Sequence, residues 1–228
     1  AMIVPHAGYI YSGAVAASAY AGLVERREVI RRVLILCPTH RVAIRGMALP
    51  AAQSFITPLG AVAVDRDAWL RAREMPGVIV DDRPHADEHA IEVQLPFLQS
   101  TLNHFQILPV AVGEVDPHRV AALLESLWGG PETLIVISSD LSHYHPYRQA
   151  QWRDKATIAQ IRQLDATLNG EQACGAGAIN GLLLAACRHR LTPHLLDLRN
   201  SGDTAGDRER VVGYASISFS ETLDHAHH

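Results

Sequence analysis

Three short runs of consecutive apolar residues, Val33-Leu34-Ile35-Leu36, Phe105 to Val112 and Leu134-Ile135-Val136-Ile137, set the framework of this chain. Each is rich in β-branched residues, so a strand made from it buries both faces, as strands do in a parallel or mixed sheet covered by helices. Helix-compatible stretches lie around them: Ser12 to Leu23, Ala90 to Leu102, Pro117 to Leu127, Gln149 to Leu164 and Asn180 to Arg190. Strands alternating with helices predict a layered α/β domain. The closing run, Val211 to Phe219, alternates apolar with small or polar residues and predicts a half-buried strand at the sheet edge. The polar segments Asp81 to His85 and Asn200 to Asp207 read as surface connections. No linker or internal repeat divides the chain, so a single domain is expected over 1–228, with a tail at 221–228.

Composition narrows the function classes. With 48% hydrophobic and 19% charged residues the chain has ample material for a core. A net charge of -4 and scattered arginines give no electrostatic reason to expect nucleic acid. Every apolar run is shorter than the 18 or so residues that span a membrane, and no charged-then-apolar leader opens the chain, so the expected location is the cytoplasm. Cys37, Cys174 and Cys187 are too few and too far apart for a disulfide framework, which suits a reducing compartment. Among 13 histidines, His225, His227 and His228 crowd the last four positions and are set aside with the tail.

Three of the remaining histidines, His6, His40 and His143, fall where chemistry is expected. In open α/β sheets ligands bind beyond the carboxyl ends of the strands. Ile3-Val4 leads into Pro5-His6-Ala7-Gly8-Tyr9, Val33 to Leu36 into Cys37-Pro38-Thr39-His40, and Leu134 to Ile137 into Ser138-Ser139-Asp140-Leu141-Ser142-His143. Imidazole, carboxylate and thiolate are the side chains that hold transition metals, and three strand ends carry them. In Asp87-Glu88-His89-Ala90-Ile91-Glu92, acidic groups at a helix start are explained by the helix dipole, while His89 or Glu92 pointing into the pocket would contact substrate or orient a metal-bound histidine. Only one histidine stands there, so the segment is not a zincin motif. Cys174 precedes an apolar helix whose dipole favours a thiolate, predicting a ligand or nucleophile. Cys187, deep in an apolar stretch, is expected to be buried and inert.

Together the stretches Pro5 to Gly13, Leu36 to His40, Asp87 to Leu98, Ser138 to His143 and Cys174-Gly175 resemble the Memo family, the second component of the AmmeMemoRadiSam gene system, similar in fold to class III extradiol dioxygenases. The resemblance implies a metal bound by His6, His40 and Cys174, with Asp140 and His143 lining the same pocket and His143 in the place of an acid-base histidine. Tyr9, His89 and Glu92 then stand on the substrate side. A divalent transition metal is implied, iron(II) foremost, with copper or zinc compatible with the same ligands. The implied activity is a non-heme redox enzyme. A zinc hydrolase, or a non-catalytic module binding a peptide or metal, uses the same pocket. The substrate is a small molecule or peptide, and the gene system implies a link to AMMECR-type and radical SAM proteins. The family carries a further stretch ahead of its Pro-His-Ala-Gly-Tyr motif, and the bulkier polar residues that follow its cysteine are here Ala176-Gly177-Ala178-Ile179, which implies a clipped first strand and a more open pocket.

Overall fold

The apolar runs form the centre of a mixed sheet. The computed structural model of the chain describes residues 1–221. Its strands are β1 (Met2–Val4), β2 (Arg32–Pro38), β3 (Met47–Leu49), β4 (Ser54–Thr57), β5 (Gly60–Ala63), β6 (Val78–Val80), β7 (Gln106–Val112), β8 (Thr133–Ser138), β9 (His143–His145), β10 (Leu191–Asn200) and β11 (Val211–Glu221). Its helices are α1 (Tyr9–Tyr20), α2 (Arg66–Arg73), α3 (Arg83–Ala86), α4 (Leu95–Thr101), α5 (Pro117–Leu127), α6 (Tyr147–Arg162) and α7 (Ala176–Arg188). The main sheet is ordered β10-β11-β1-β8-β2-β7-β3-β6, with β9 added against β11 and β4-β5 as a separate hairpin. At its centre β1, β8, β2 and β7 run parallel, flanked by antiparallel pairings of β11 with β1 and of β3 with β7.

Both faces of the centre are covered, as the unbroken apolar runs require. Leu34 and Leu36 of β2 join Leu108, Val110, Ile135 and Ile137 in a cluster closed by α5 and α7. Val33 and Ile35 point the other way, into a cluster with Ile107, Leu134 and Val136 under α1 and α4. Each such side chain contributes roughly 1.5–3 kcal/mol on burial, so this central two-sided packing dominates the fold's stability.

Several elements depart from the sequence expectation. Val211 to Phe219 is not an edge strand: β11 runs to Glu221 between β10 and β1 and is largely buried. The edge belongs to β10, whose Pro193, Asp197 and Arg199 mask it as a strand; an edge position tolerates a residue without an N–H. The helix expected from Ala90 begins at Leu95, after a 3-10 turn at Glu92–Gln94. Asp81 to His85 is no open surface connection, since α3 starts at Arg83 and buries Pro84 and His85. Cys187 is exposed, because it lies on the outer side of α7, whose buried face carries Leu182, Leu183 and Ala186. The histidines set aside with the tail lie outside the described residues. Among the described residues, no helix is long and apolar enough to cross a membrane.

Helices α5 and α7 touch through Gly181. A methyl group added there would come within 2.5 Å of Val120 Cβ, an atom fixed to the backbone of α5. Glycine to alanine in a helix ordinarily adds about 1 kcal/mol of stability. Here Gly181→Ala is expected to remove about 1–3 kcal/mol by overpacking, measured by urea unfolding, with partial recovery in Gly181→Ala/Val120→Ala. A stabilised single variant contradicts the close approach.

Candidate metal centre

Parallel pairing of β1, β8 and β2 brings their carboxyl ends to one edge of the sheet. His6 follows the last residue of β1 by two positions, His40 follows β2 by two, and Asp140 follows β8 by two. The three exits therefore stand side by side, in the arrangement that makes the carboxyl edge of such sheets a binding site.

His6 is 1% exposed and its ring is oriented by a closed chain of hydrogen bonds. Ser138 Oγ donates to the Ala90 carbonyl at 2.6 Å and accepts from Gln94 Nε2 at 2.9 Å. Gln94 is held in turn by the Tyr20 hydroxyl, which donates to its Oε1 at 2.8 Å, and by its own donation to the Pro5 carbonyl. The hydroxyl proton of Ser138 is thus committed, and toward His6 Nδ1, 2.9 Å away, Ser138 can only accept. Nδ1 carries the ring proton, and Nε2 is left with its lone pair. Burial pushes the His6 imidazole below its ordinary pKa, opposed by the Asp140 carboxylate and reinforced by His40 and His89, so the neutral form is favoured.

His40 is oriented by Glu88. The Glu88 carboxylate, 3% exposed, lies 3.0 Å from His40 Nδ1 and accepts from the His40 amide at 2.9 Å and the Ala90 amide at 3.0 Å. Burial raises the Glu88 pKa, but these hydrogen bonds from His40 and Ala90 outweigh it and hold the carboxyl at about 2. A carboxylate on Nδ1 fixes the ring and strengthens Nε2 as a donor, the arrangement that orients histidines on metals. His89 Nδ1 lies 3.5 Å from the same carboxylate.

The three rings cluster, with centroids 5.2 Å apart for His6 and His40, 5.5 Å for His6 and His89, and 5.5 Å for His40 and His89. One ligand nitrogen from each lies within 4.8 Å of the others, so the group can hold a metal ion. Three imidazole nitrogen donors, two of their rings held by buried oxygen atoms, fit a divalent transition metal better than a hard oxygen-seeking ion.

The other predicted residues fall at different distances from this cluster. Cys174 Sγ is 3.4 Å from His6 Nε2, and the Asp140 amide donates to it at 3.3 Å. The thiolate that a helix dipole was expected to favour is not favoured without a metal: burial, followed by the charge of Asp140, pushes the Cys174 thiol up to about 12. Asp140 accepts from the His6 amide through Oδ1 at 2.8 Å, and its Oδ2 is 3.9 Å from His6 Nε2. Half-buried His143 opens β9; its ring contact is with Tyr144, and no hydrogen bond or ring contact joins it to the clustered histidines among the described residues. Its approach is held by Leu141 donating to the Gly213 carbonyl and Ser142 to buried Asp154. Tyr9 packs on Phe97 and donates to the Val93 carbonyl, forming part of the wall, while Glu92 is exposed. Glu88, which orients His40, was missed as a site residue because it was weighed as a helix-start acid; no helix begins there.

The depressed Glu88 pKa links to stability with a definite sign. A folded-state value of about 2 against an ordinary 4.5 means stability present above pH 4.5 and lost as pH falls toward 2. Metal-free Glu88→Gln is expected to be less stable than the parent by roughly 2–3 kcal/mol at pH 7, with the gap closing below pH 4.5 in urea unfolding. A gap independent of pH contradicts the charged Glu88.

A crystal structure of an uncharacterized protein from Escherichia coli K12 shares the fold, with a TM-score of 0.60, 12% identity, and coverage of 95% of this chain and 98% of that one. A MEMO1 family protein of Sulfolobus acidocaldarius is 35% identical, covering 96% of this chain and 82% of the relative. One from Metallosphaera sedula is 33% identical with the same coverage. The family described as Memo-like protein matches residues 1–218, a span that contains every residue of the histidine cluster together with Asp140 and Cys174. On that match and those relatives, the chain belongs to the Memo family.

Proposed function

We propose that this protein binds a divalent transition metal, iron(II) foremost, and acts as a non-heme redox enzyme on a small organic substrate. The supporting observation is the hydrogen-bond pattern: Ser138 and Glu88 engage Nδ1 of His6 and of His40, which leaves the Nε2 side of both rings for a ligand in a cluster with His89. In this reading His6 and His40 are the fixed ligands, Cys174 is the anionic ligand, and His89, with half of its side chain exposed, completes the donor set at the mouth. The thiol of Cys174 is surrendered as a proton only on ligation, which makes metal uptake pH-dependent.

The metal would supply Lewis acidity and, as iron(II), one-electron chemistry toward oxygen. The protein's part is positional. Asp140 holds the His6 backbone through the His6 amide, and its second oxygen lies beside His6 Nε2. His143, on a strand tied to β11, is the candidate acid-base group at the rim, where an imidazole can exchange protons with substrate.

Metal analysis of protein purified without added metal tests the common premise. Stoichiometric metal is expected in the parent and its loss in His6→Ala and in Cys174→Ser, whereas metal persisting in both variants sinks the site. Glu88→Gln is expected to weaken metal affinity roughly 10–100-fold by releasing His40. Oxygen uptake by iron-loaded protein with a panel of catechols is the expected signature of the redox reading; silence across the panel with iron bound contradicts it.

A further inference from the structure

A cavity of about 590 Å³ opens beside His40 and Cys174 and is walled by the segment from Pro38 to Arg45 and by Val112 to Glu114. Two arginines line it, Arg41 and Arg45, and both are exposed. Among the described residues neither guanidinium meets a carboxylate, a carbonyl or an aromatic face. Some other surface arginines of this chain are engaged, Arg83 by Asp81, Arg199 by Asp197 and Arg188 by Glu125, while exposed Arg27, Arg148 and Arg162 line no cavity with a second cation among the described residues. Glu114 lines the same cavity and takes neither cation, so the wall keeps a net positive charge.

The wall is preformed. Glu114 donates its amide to the Ile44 carbonyl at 2.9 Å, Gly46 donates to the Glu114 carbonyl at 2.9 Å, and Gly113 donates to the Gly46 carbonyl at 3.0 Å. This close backbone contact depends on Gly113, where an added methyl would come within 2.5 Å of Ile44 Cγ1. The segment bearing both arginines is thus anchored at one end by this ladder and at the other by His40, whose amide and ring are held by Glu88. Ile44 and Val112 add apolar surface to the same cavity lining as His40 and Cys174.

We infer that the cavity seats an organic anion, its carboxylate or phosphate group on Arg41 and Arg45 and its apolar body reaching toward His40 and Cys174. The inference rests on the proposed metal site for its reacting end but not for the recognition of charge. Planar guanidinium groups bind carboxylates and phosphates through paired hydrogen bonds, and two of them without a protein partner are the chemistry such a group requires. Glu114 sets selectivity by repelling a second negative charge at that wall.

Ligand-observed NMR titrations of the metal-free protein with benzoate, phenyl phosphate and neutral benzamide test the assignment. Either anion is expected to bind at least roughly tenfold more tightly than benzamide, and the tighter of the two tells carboxylate from phosphate. Arg41→Ala/Arg45→Ala is expected to erase the preference while taking up metal as the parent does, since no ligand changes, and Glu114→Gln is expected to strengthen anion binding. Equal binding of benzoate, phenyl phosphate and benzamide, or a preference surviving in the double arginine variant, overturns the inference. A parent protein that prefers anions yet takes up no metal would leave the cavity assignment standing and sink the metal reading; one that takes up metal and shows no charge preference would do the reverse.

Discussion

The parallel pairing of β1 with β8 and of β8 with β2 is the constraint on which the site depends. Val4 lies opposite Ser138 and Leu36 opposite Ile137, so the three chains leave the sheet nearly level and in the same direction. That register gives His6, Asp140 and His40 a common edge, and it is maintained by apolar side chains buried on both faces. A slip of one residue in any of these strands would turn the buried residues of one cluster into the other and carry a site residue away from the rim. The same packing that makes the sheet stable therefore sets the spacing of the polar groups beyond it.

What the sheet leaves undecided, a buried polar network settles. Tyr20 from α1, Gln94 ahead of α4 and Ser138 at the end of β8 form one chain of donors and acceptors that ends on His6 Nδ1. Glu88 performs the equivalent task for His40 and, through the Ala90 amide, ties the loop before α4 to the same edge. Such networks are costly when incomplete and rigid when complete. The two chains end on Nδ1 of His6 and of His40 and bring both rings to one space. Glu88 is the more demanding member, since a buried carboxylate persists only because three donors converge on it. The cavity beside His40 continues the same logic outward, with a rigid backbone ladder carrying charges that the protein itself does not neutralise.

The central strands were legible because an unbroken β-branched run has few alternatives to a buried strand, and α5 was legible to the residue because Asp116 caps it and Pro117 opens it. The edges were not. β10 carries Pro193 and the charges of Asp197 and Arg199, so no apolar run marks it as a strand, and β11, with small residues at Gly213, Ala215 and Ser216, read as half-buried because its cover comes from distant chain. Among site residues, His6, His40 and Asp140 followed from strand-end placement. Cys174 was flagged by its place ahead of a helix, but its assignment to this pocket followed mainly from the family resemblance, since its neighbour His6 is 168 positions away and no local pattern records the contact. His89 was read as a substrate contact and stands in the cluster, because its position depends on the turn before α4 rather than on a regular element. Glu88 was obscured by its chemistry: an acidic residue ahead of a helix has a sufficient local explanation, and its true partner lies 48 positions away.

The central claim, that the two oriented imidazoles exist to hold a metal, is met most directly by anomalous diffraction from crystals of protein purified without added metal. The account predicts one strong anomalous peak bounded by His6, His40, His89 and Cys174, with an absorption edge that names the element. A clean map at that position, or a peak held elsewhere in the chain, would contradict it.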